Sequence, residues 1–321
     1  MRKLKLTVFV LLLCLLLNLA GCAAAQRPLR VTLVLKTVTE VAEFWGTLLS
    51  GVEKAAAEYG VELKVLTSPR EIDIDAQIEL IRKVTEEKPD VMILSAADYD
   101  RCAEATEKAI AAGIGVVAID TDVNATGRAC FVGSNSYQIG LEMGQAMASY
   151  LPEGGKVAVI QHMLTTTTGI DRTRGVLDAL EEAGNIEILG SYCCDNSTSK
   201  AQVITKTLLA EHPDVSGFVC TNEVCNVGAA NALVELGMGG RVFVVGCDNS
   251  QRQIAFLEQN IIQAIVTQRP FNMGYIAVQQ AVRVANGEQT DDFIEVACVL
   301  ITRENMYTQE NQKLLFPVLD R

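Results

Sequence analysis

The chain has 321 residues, 49% of them hydrophobic and 5% aromatic, with a formal net charge of −12 at pH 7. That length supports one large or two ordinary domains with real cores. The acidic balance, with no basic run past the first few residues, excludes nucleic acid as a partner, because neutralising phosphate needs a basic face.

Arg2, Lys3 and Lys5 lead into "LTVFVLLLCLLLNLA", an apolar stretch of about signal-peptide length. It ends in "LAGC", Leu19 to Cys22, which resembles a bacterial lipobox. That resemblance implies cleavage before Cys22 and lipidation of its sulfur. Residues 1–21 are therefore expected to be a signal peptide and 22–29 a lipidated tether. The rest would be exported and anchored to the outer face of the cytoplasmic membrane, or periplasmic.

From residue 29 onward, strand-like and helix-like segments alternate. The strand candidates are "LRVTLVL", "VELKVL", "DVMILSA", "GVVAID", "KVAVIQ", "EILGSY", "SGFVCT", "RVFVVGC", "IIQAIVTQ" and "FIEVACVLI". Their continuous apolar character predicts strands buried on both faces, as in parallel sheets. Between them, Phe44, Trp45, Leu48, Leu49, Val52, Ala56 and Tyr59 recur at helical spacing, and Gly60 supplies a C-terminal stop. The rhythm passes "FVGSNSYQ" at 131–138 and restarts at "GGKVAVIQ". This predicts an α/β fold of two doubly wound parallel-sheet lobes.

In open parallel sheets, ligands bind outside the carboxyl ends of the strands. Asp120 ends the apolar run in "VVAIDTD" and Asp248 ends the one in "VVGCDNS", one in each half. Asn222, Glu223 and Gln268 end strands in the same way, so these groups would face one another across a cleft. A second reading makes the two acids helix N-caps, each contributing about 1 kcal/mol. The two readings are compatible at this stage.

No GxSxG elbow, phosphate-binding loop or HExxH motif is present. "GIGVVA" at 113–118 precedes its strand and reads as a helix end instead of a dinucleotide loop. His162 and His212 lie near no cysteine pair, so no metal or other cofactor is expected, and the chain does not read as an enzyme. Of ten cysteines, Cys14 would leave with the signal and Cys22 would carry the lipid. The others, such as Cys220, Cys247 and Cys298, sit in apolar runs and behave as small hydrophobes, mostly free thiols. Cys193–Cys194 are the candidates for pairing.

Taken in order, "EFWGTLLSGVEKAAAEYGVEL", "VVAIDTD", "GSNSYQIG", "IDRTRGVLDAL", "TNEVCNVGAANAL" and "VVGCDNS…QAIVTQRPFNMG" resemble the bacterial periplasmic sugar-binding proteins. The ribose-binding type, the type I substrate receptors of ABC importers, gives the nearest likeness, over about residues 30–300. The resemblance implies two lobes joined by a three-strand hinge, with crossings near Ser134–Asn135, Gln268–Arg269 and Glu295–Val296. The N-terminal lobe would be 30–134 plus 269–295, and the C-terminal lobe 135–268 plus 296–321.

The resemblance also places the ligand contacts on the aromatic pair Phe44 and Trp45, on Asp120, Thr121, Arg174, Asn222 and Asp248, and on the hinge glutamine Gln268. Such a set suits a polyol. Carboxylates accept from neighbouring hydroxyls in charge-assisted bonds, an arginine fork donates, and aromatic faces cover the C–H side of a sugar ring. Thr121 stands where the family has an arginine, "EVAE" replaces an asparagine, and Asn196 and Cys247 replace aromatics. The implied ligand is a monosaccharide or related polyol, with ribose less apt than another sugar, a cyclitol or a furanone-type signal. The implied role is capture between closing lobes and delivery to an ABC permease. The alternative is a sensor that presents its ligand to a histidine kinase or chemoreceptor.

Overall fold

The computed structural model describes residues 27–37 and 43–316. The expected signal peptide, Cys22, most of the tether and residues 317–321 lie outside them. Among the described residues, no helix is long and apolar enough to cross a membrane.

The first sheet is built from β1 (Arg30–Leu35), β2 (Glu62–Thr67), β3 (Val91–Leu94), β4 (Gly115–Ile119), β5 (Cys130–Gly133) and β11 (Phe293–Glu295). Their order is β11-β5-β4-β3-β1-β2, with every pairing parallel. The second comprises β6 (Gly155–Gln161), β7 (Ile186–Cys193), β8 (Val215–Cys220), β9 (Phe243–Cys247), β10 (Ala264–Thr267) and β12 (Val299–Thr302). Its order, β12-β10-β9-β8-β6-β7, repeats the first. Only β12 runs antiparallel to its neighbour.

Central strands such as β3 and β10 are buried at every residue, which is why their sequences read as unbroken apolar runs. The edge strands β2 and β7 are half exposed. Two strand expectations change. "FIEVACVLI" is not one strand: β11 joins the first sheet and β12 the second. The stretch "FVGSNSYQ" opens on a genuine strand, β5.

Helices cover both faces of each sheet. In the first lobe, α1 (Glu43–Tyr59) and α9 (Pro270–Ala285) cover one face through Trp45, Leu48, Val52, Met273 and Ala277. On the other, α2 (Ile74–Glu87) and α3 (Ala103–Ala111) supply Ile81, Val84 and Ala105. In the second lobe, α4 (Ser136–Tyr150) and α5 (Thr167–Ala183) bury Ile139, Met143, Val176 and Leu180. Opposite them lie α6 (Thr198–Glu211), α7 (Glu223–Glu235) and α8 (Gln251–Glu258). A short α10 (Gln309–Leu315) follows β12. The chain passes between lobes after β5, after β10 and between β11 and β12.

Two helix crossings are unusually close. A Cβ on Gly175 of α5 would lie 2.3 Å from the Tyr137 carbonyl oxygen of α4. A Cβ on Gly274 of α9 would lie 2.2 Å from the Leu48 carbonyl oxygen of α1. Glycine permits both backbone approaches. These two helix pairs carry Arg172 and Trp45 to the space between the lobes.

Candidate functional site

The strand ends of both lobes converge on one cavity. From the first lobe it is lined by Lys36 after β1, Glu71, Asp120 after β4, and Phe44 and Trp45 at the start of α1. From the second come His162 after β6, Arg172 on α5, Asn196 after β7, Asn222 and Glu223 after β8, Asp248 after β9, and Gln268 after β10. The cavity is partly open and admits atom centres over about 40 Å³, which a single small ring would fill.

Asp120 and Asp248 occupy equivalent places in the two lobes. Each follows the fourth strand of its sheet, and each amide donates to the strand beside it: Asp120 to Val132 at 3.0 Å, Asp248 to Val266 at 2.9 Å. Each has a positive φ, 62° and 73°. An N-cap residue takes an extended conformation, so neither acid caps a helix. The helix after Asp248 is capped by Ser250 in a full capping box with Gln253. Of six described non-glycine residues with positive φ, three (Asp120, Asn196 and Asp248) line the cavity. The left-handed conformation costs about 1 kcal/mol per residue, and its concentration here marks a site that aims side chains.

The first-lobe wall is ionic. Lys36 is 3% exposed, and its Nζ lies 2.9 Å from Glu71 Oε1 and 3.3 Å from Asp120 Oδ2. Burial opposes its charge, but Glu71 and Asp120 outweigh that and raise the pKa. Trp45 packs edge-on against Phe44 at 5.1 Å, with the Lys36 ammonium 5.6 Å from its ring. The contacts to Asp120 fall on Oδ2; among the described residues, Oδ1 accepts no hydrogen bond.

The second-lobe wall is hydrogen-bonded. Asp248 accepts from Gln268 Nε2 at 2.8 Å and from the Glu223 amide at 3.0 Å. Asn222 caps α7 through its side-chain oxygen and donates from Nδ2 to Asn196 Oδ1 at 2.9 Å. Arg172 is 3% exposed and donates from Nη1 to the Thr221 carbonyl at 2.9 Å, while its buried Nε has no partner among the described residues. His162 lies within reach of the Thr221 and Thr168 hydroxyls. Burial, then Lys36 and Arg172, push its pKa well below the usual value, so it stays neutral. Burial and then Asp248 push the Glu223 carboxyl up to about 8. Its Oε2 is buried without a partner among the described residues.

Six expected residues meet in this cavity: Phe44, Trp45, Asp120, Asn222, Asp248 and Gln268. Two do not line it. The Thr121 hydroxyl turns into the first lobe, bonding the Ala96 carbonyl at 2.7 Å. Arg174 pairs with Asp171 at the surface and lies over the Tyr137 ring. A step of two residues turns about 200° around a helix, so Arg172 faces the cavity when Arg174 faces water. Lys36 ends an apolar run exactly as Asp120 does and was open to the strand-end rule. Glu71 lies in a loop with no such signal.

The lobes meet firmly on one flank of the cavity. Asn196 Nδ2 donates to Glu71 Oε2 at 2.7 Å, Tyr99 N to Thr165 O at 2.9 Å, Thr165 Oγ1 to Ala97 O at 3.1 Å, and Asp122 N to Thr167 Oγ1 at 3.1 Å. Elsewhere between the lobes, Gln251 N donates to Glu43 Oε1 at 3.2 Å and Arg269 pairs with Glu310 at 3.6 Å. Among the described residues, no group of three or more His, Cys, Asp or Glu is placed to hold a metal. The donors and acceptors suit a neutral polyhydroxylated ring, with carboxylates for its hydroxyls, cations for its oxygens and an aromatic pair for its C–H face.

Residues 32–289 match the family described as periplasmic binding protein domain. The D-ribose/D-allose-binding protein of Pseudomonas aeruginosa is 26% identical, over 86% of this chain and 89% of its own. The D-apiose import binding protein of Paraburkholderia graminis is 30% identical, over 73% and 75%. Among solved structures, a sugar transporter from Clostridium phytofermentans is 30% identical, with a TM-score of 0.79 and coverage of 85% of this chain and 98% of that one. A carbohydrate transporter solute-binding protein from Agrobacterium radiobacter, in complex with D-arabinose, is 21% identical and shares the fold, with a TM-score of 0.87 over 91% and 100%.

Proposed function

Because the chain belongs to the periplasmic binding protein family, whose members bind solutes and are not enzymes, we propose that it captures a monosaccharide or related polyol between its lobes and delivers it to an ABC importer. The observation that carries this reading is the pair of equivalent acids, Asp120 and Asp248, aimed from opposite lobes into one cavity with Arg172 and Trp45. The relatives' names support the sugar class. The lipobox-like "LAGC" supports anchoring through Cys22, and Cys22→Ser should release the protein from membranes or leave it unprocessed.

The test is a thermal-shift screen with D-ribose, D-allose, D-apiose and D-arabinose, since a ligand at a hundred times its Kd stabilises by about 2.7 kcal/mol. Asp248→Asn then probes the site. Asparagine tolerates the same left-handed backbone, and Asp248, unlike Asp120, makes no ion pair within 4 Å in the described set. The apo protein should keep its stability while sugar affinity falls by about 2–4 kcal/mol, roughly 30- to 1000-fold. Binding within threefold of wild type would move the site elsewhere.

A further inference from the structure

A second cavity opens beside the first, admitting atom centres over about 900 Å³, and the two share Phe44, Glu223 and Asp248 in their linings. Three observations bear on what occupies it. First, the inner cavity fits one ring, and the protein closes over it unevenly. Four hydrogen bonds seal the Glu71–Asn196–Thr165 flank, while toward the outer cavity the described residues bridge the lobes by the Gln251–Glu43 hydrogen bond and the Arg269–Glu310 ion pair at 3.6 Å. Second, Glu223 stands at the junction, 5% exposed, with a buried Oε2 that meets no hydrogen-bond partner among the described residues. Such an atom is costly unless a ligand satisfies it. Third, the outer walls carry partly exposed aromatic and amide side chains, Phe271 and Asn272 among them, with Arg269 and Glu310. These suit a second ring or an aromatic substituent bearing hydroxyls.

We infer that the ligand is a glycoside or short oligosaccharide, with one sugar ring held in the inner cavity and its glycosidic substituent lying past Glu223 in the outer one. This rests on the sugar-binding reading and narrows it. The closed lobes then grip the ring while leaving the substituent room.

The experiment is calorimetric titration with D-ribose, D-allose, D-glucose and D-galactose, alongside both anomers of their p-nitrophenyl glycosides. It is repeated on Asn272→Trp, which fills the outer cavity from an exposed position on α9. At least one glycoside should bind tenfold or more tighter than its free sugar, and Asn272→Trp should cut that advantage below threefold while leaving free-sugar affinity unchanged. If a free sugar binds and no glycoside matches that advantage, the extended site is wrong and the monosaccharide reading stands. If Asn272→Trp leaves the advantage intact, the substituent does not lie in the outer cavity. If neither series binds, both the sugar reading and the extension fall.

Discussion

Arg172 lines the cavity and, among the described residues, spends one donor on the Thr221 carbonyl while its Nε has no partner. Arg172→Lys retains the charge but loses the planar fork, and should weaken sugar binding by about 1.5–3 kcal/mol, roughly 10- to 150-fold. Arg174→Ala, on the solvent side of the same helix, should change Kd less than threefold; calorimetry on both variants compares the two assignments directly. Glu223 titrates against the fold in a defined window. Its carboxyl ionises near 4.5 when unperturbed and near 8 in the folded protein. Its stabilising contribution is therefore complete below pH 4.5, declines as the unfolded chain ionises, and is lost once pH passes about 8. Melting the apo protein from pH 5 to 8.5 should show a fall in stability that Glu223→Gln reduces; an identical fall in the variant would mean that other groups cause it. At this scale the sequence was partly transparent. Polar residues closing apolar runs were visible, because a parallel strand's end is a position in the pattern. The face of α5 was harder to read, since a charged Arg172 stands on the same buried face as Val176, Ala179 and Leu180, and the Gly140 and Gly175 contacts between α4 and α5 fix that phase.

Elements were easiest to read where burial is two-sided. β3, β4, β9 and β10 announce themselves as apolar runs because water touches neither face. The short β5 hides beside a polar turn, and "FIEVACVLI" misleads because two strands of different sheets abut with only three residues between them. The α4–α5 crossing offers a direct test of how an element positions a site residue. Gly175→Ala would push a methyl group into the Tyr137 carbonyl, and overpacking of this kind costs about 1–3 kcal/mol. We expect a lower melting temperature and, because the whole helix must shift, a loss of sugar affinity beyond what the melting change explains. Affinity equal to wild type in a folded Gly175→Ala protein would separate Arg172's placement from this crossing.

For the molecule as a whole, the two lobes repeat one strand order, so the equivalent acids arise by placing the same element twice and facing the copies. The hydrogen bonds across the Glu71–Asn196 flank describe a closed arrangement, and hinge motion about the three connections would open it. Small-angle scattering should show the radius of gyration falling when the best sugar is added; tight binding without any change in the curve would rule out closure by hinge motion. Asn196→Ala, which removes one of those bonds, should expand the apo protein further. The order in which the chain emerges from the ribosome adds a different constraint. The lobe that begins first, at β1, stays incomplete until most of the second has been made, because Met273, Ala277 and Val278 of α9 belong to the same core as Val31 and Leu33, and β11 completes its sheet. At about 5–20 residues per second, roughly 8–30 s separate β5 from β11. Throughout that interval α1 alone covers a face that α9 will share, so a product truncated near residue 268 should expose Val31, Leu33 and their neighbours and be a target for aggregation or proteolysis.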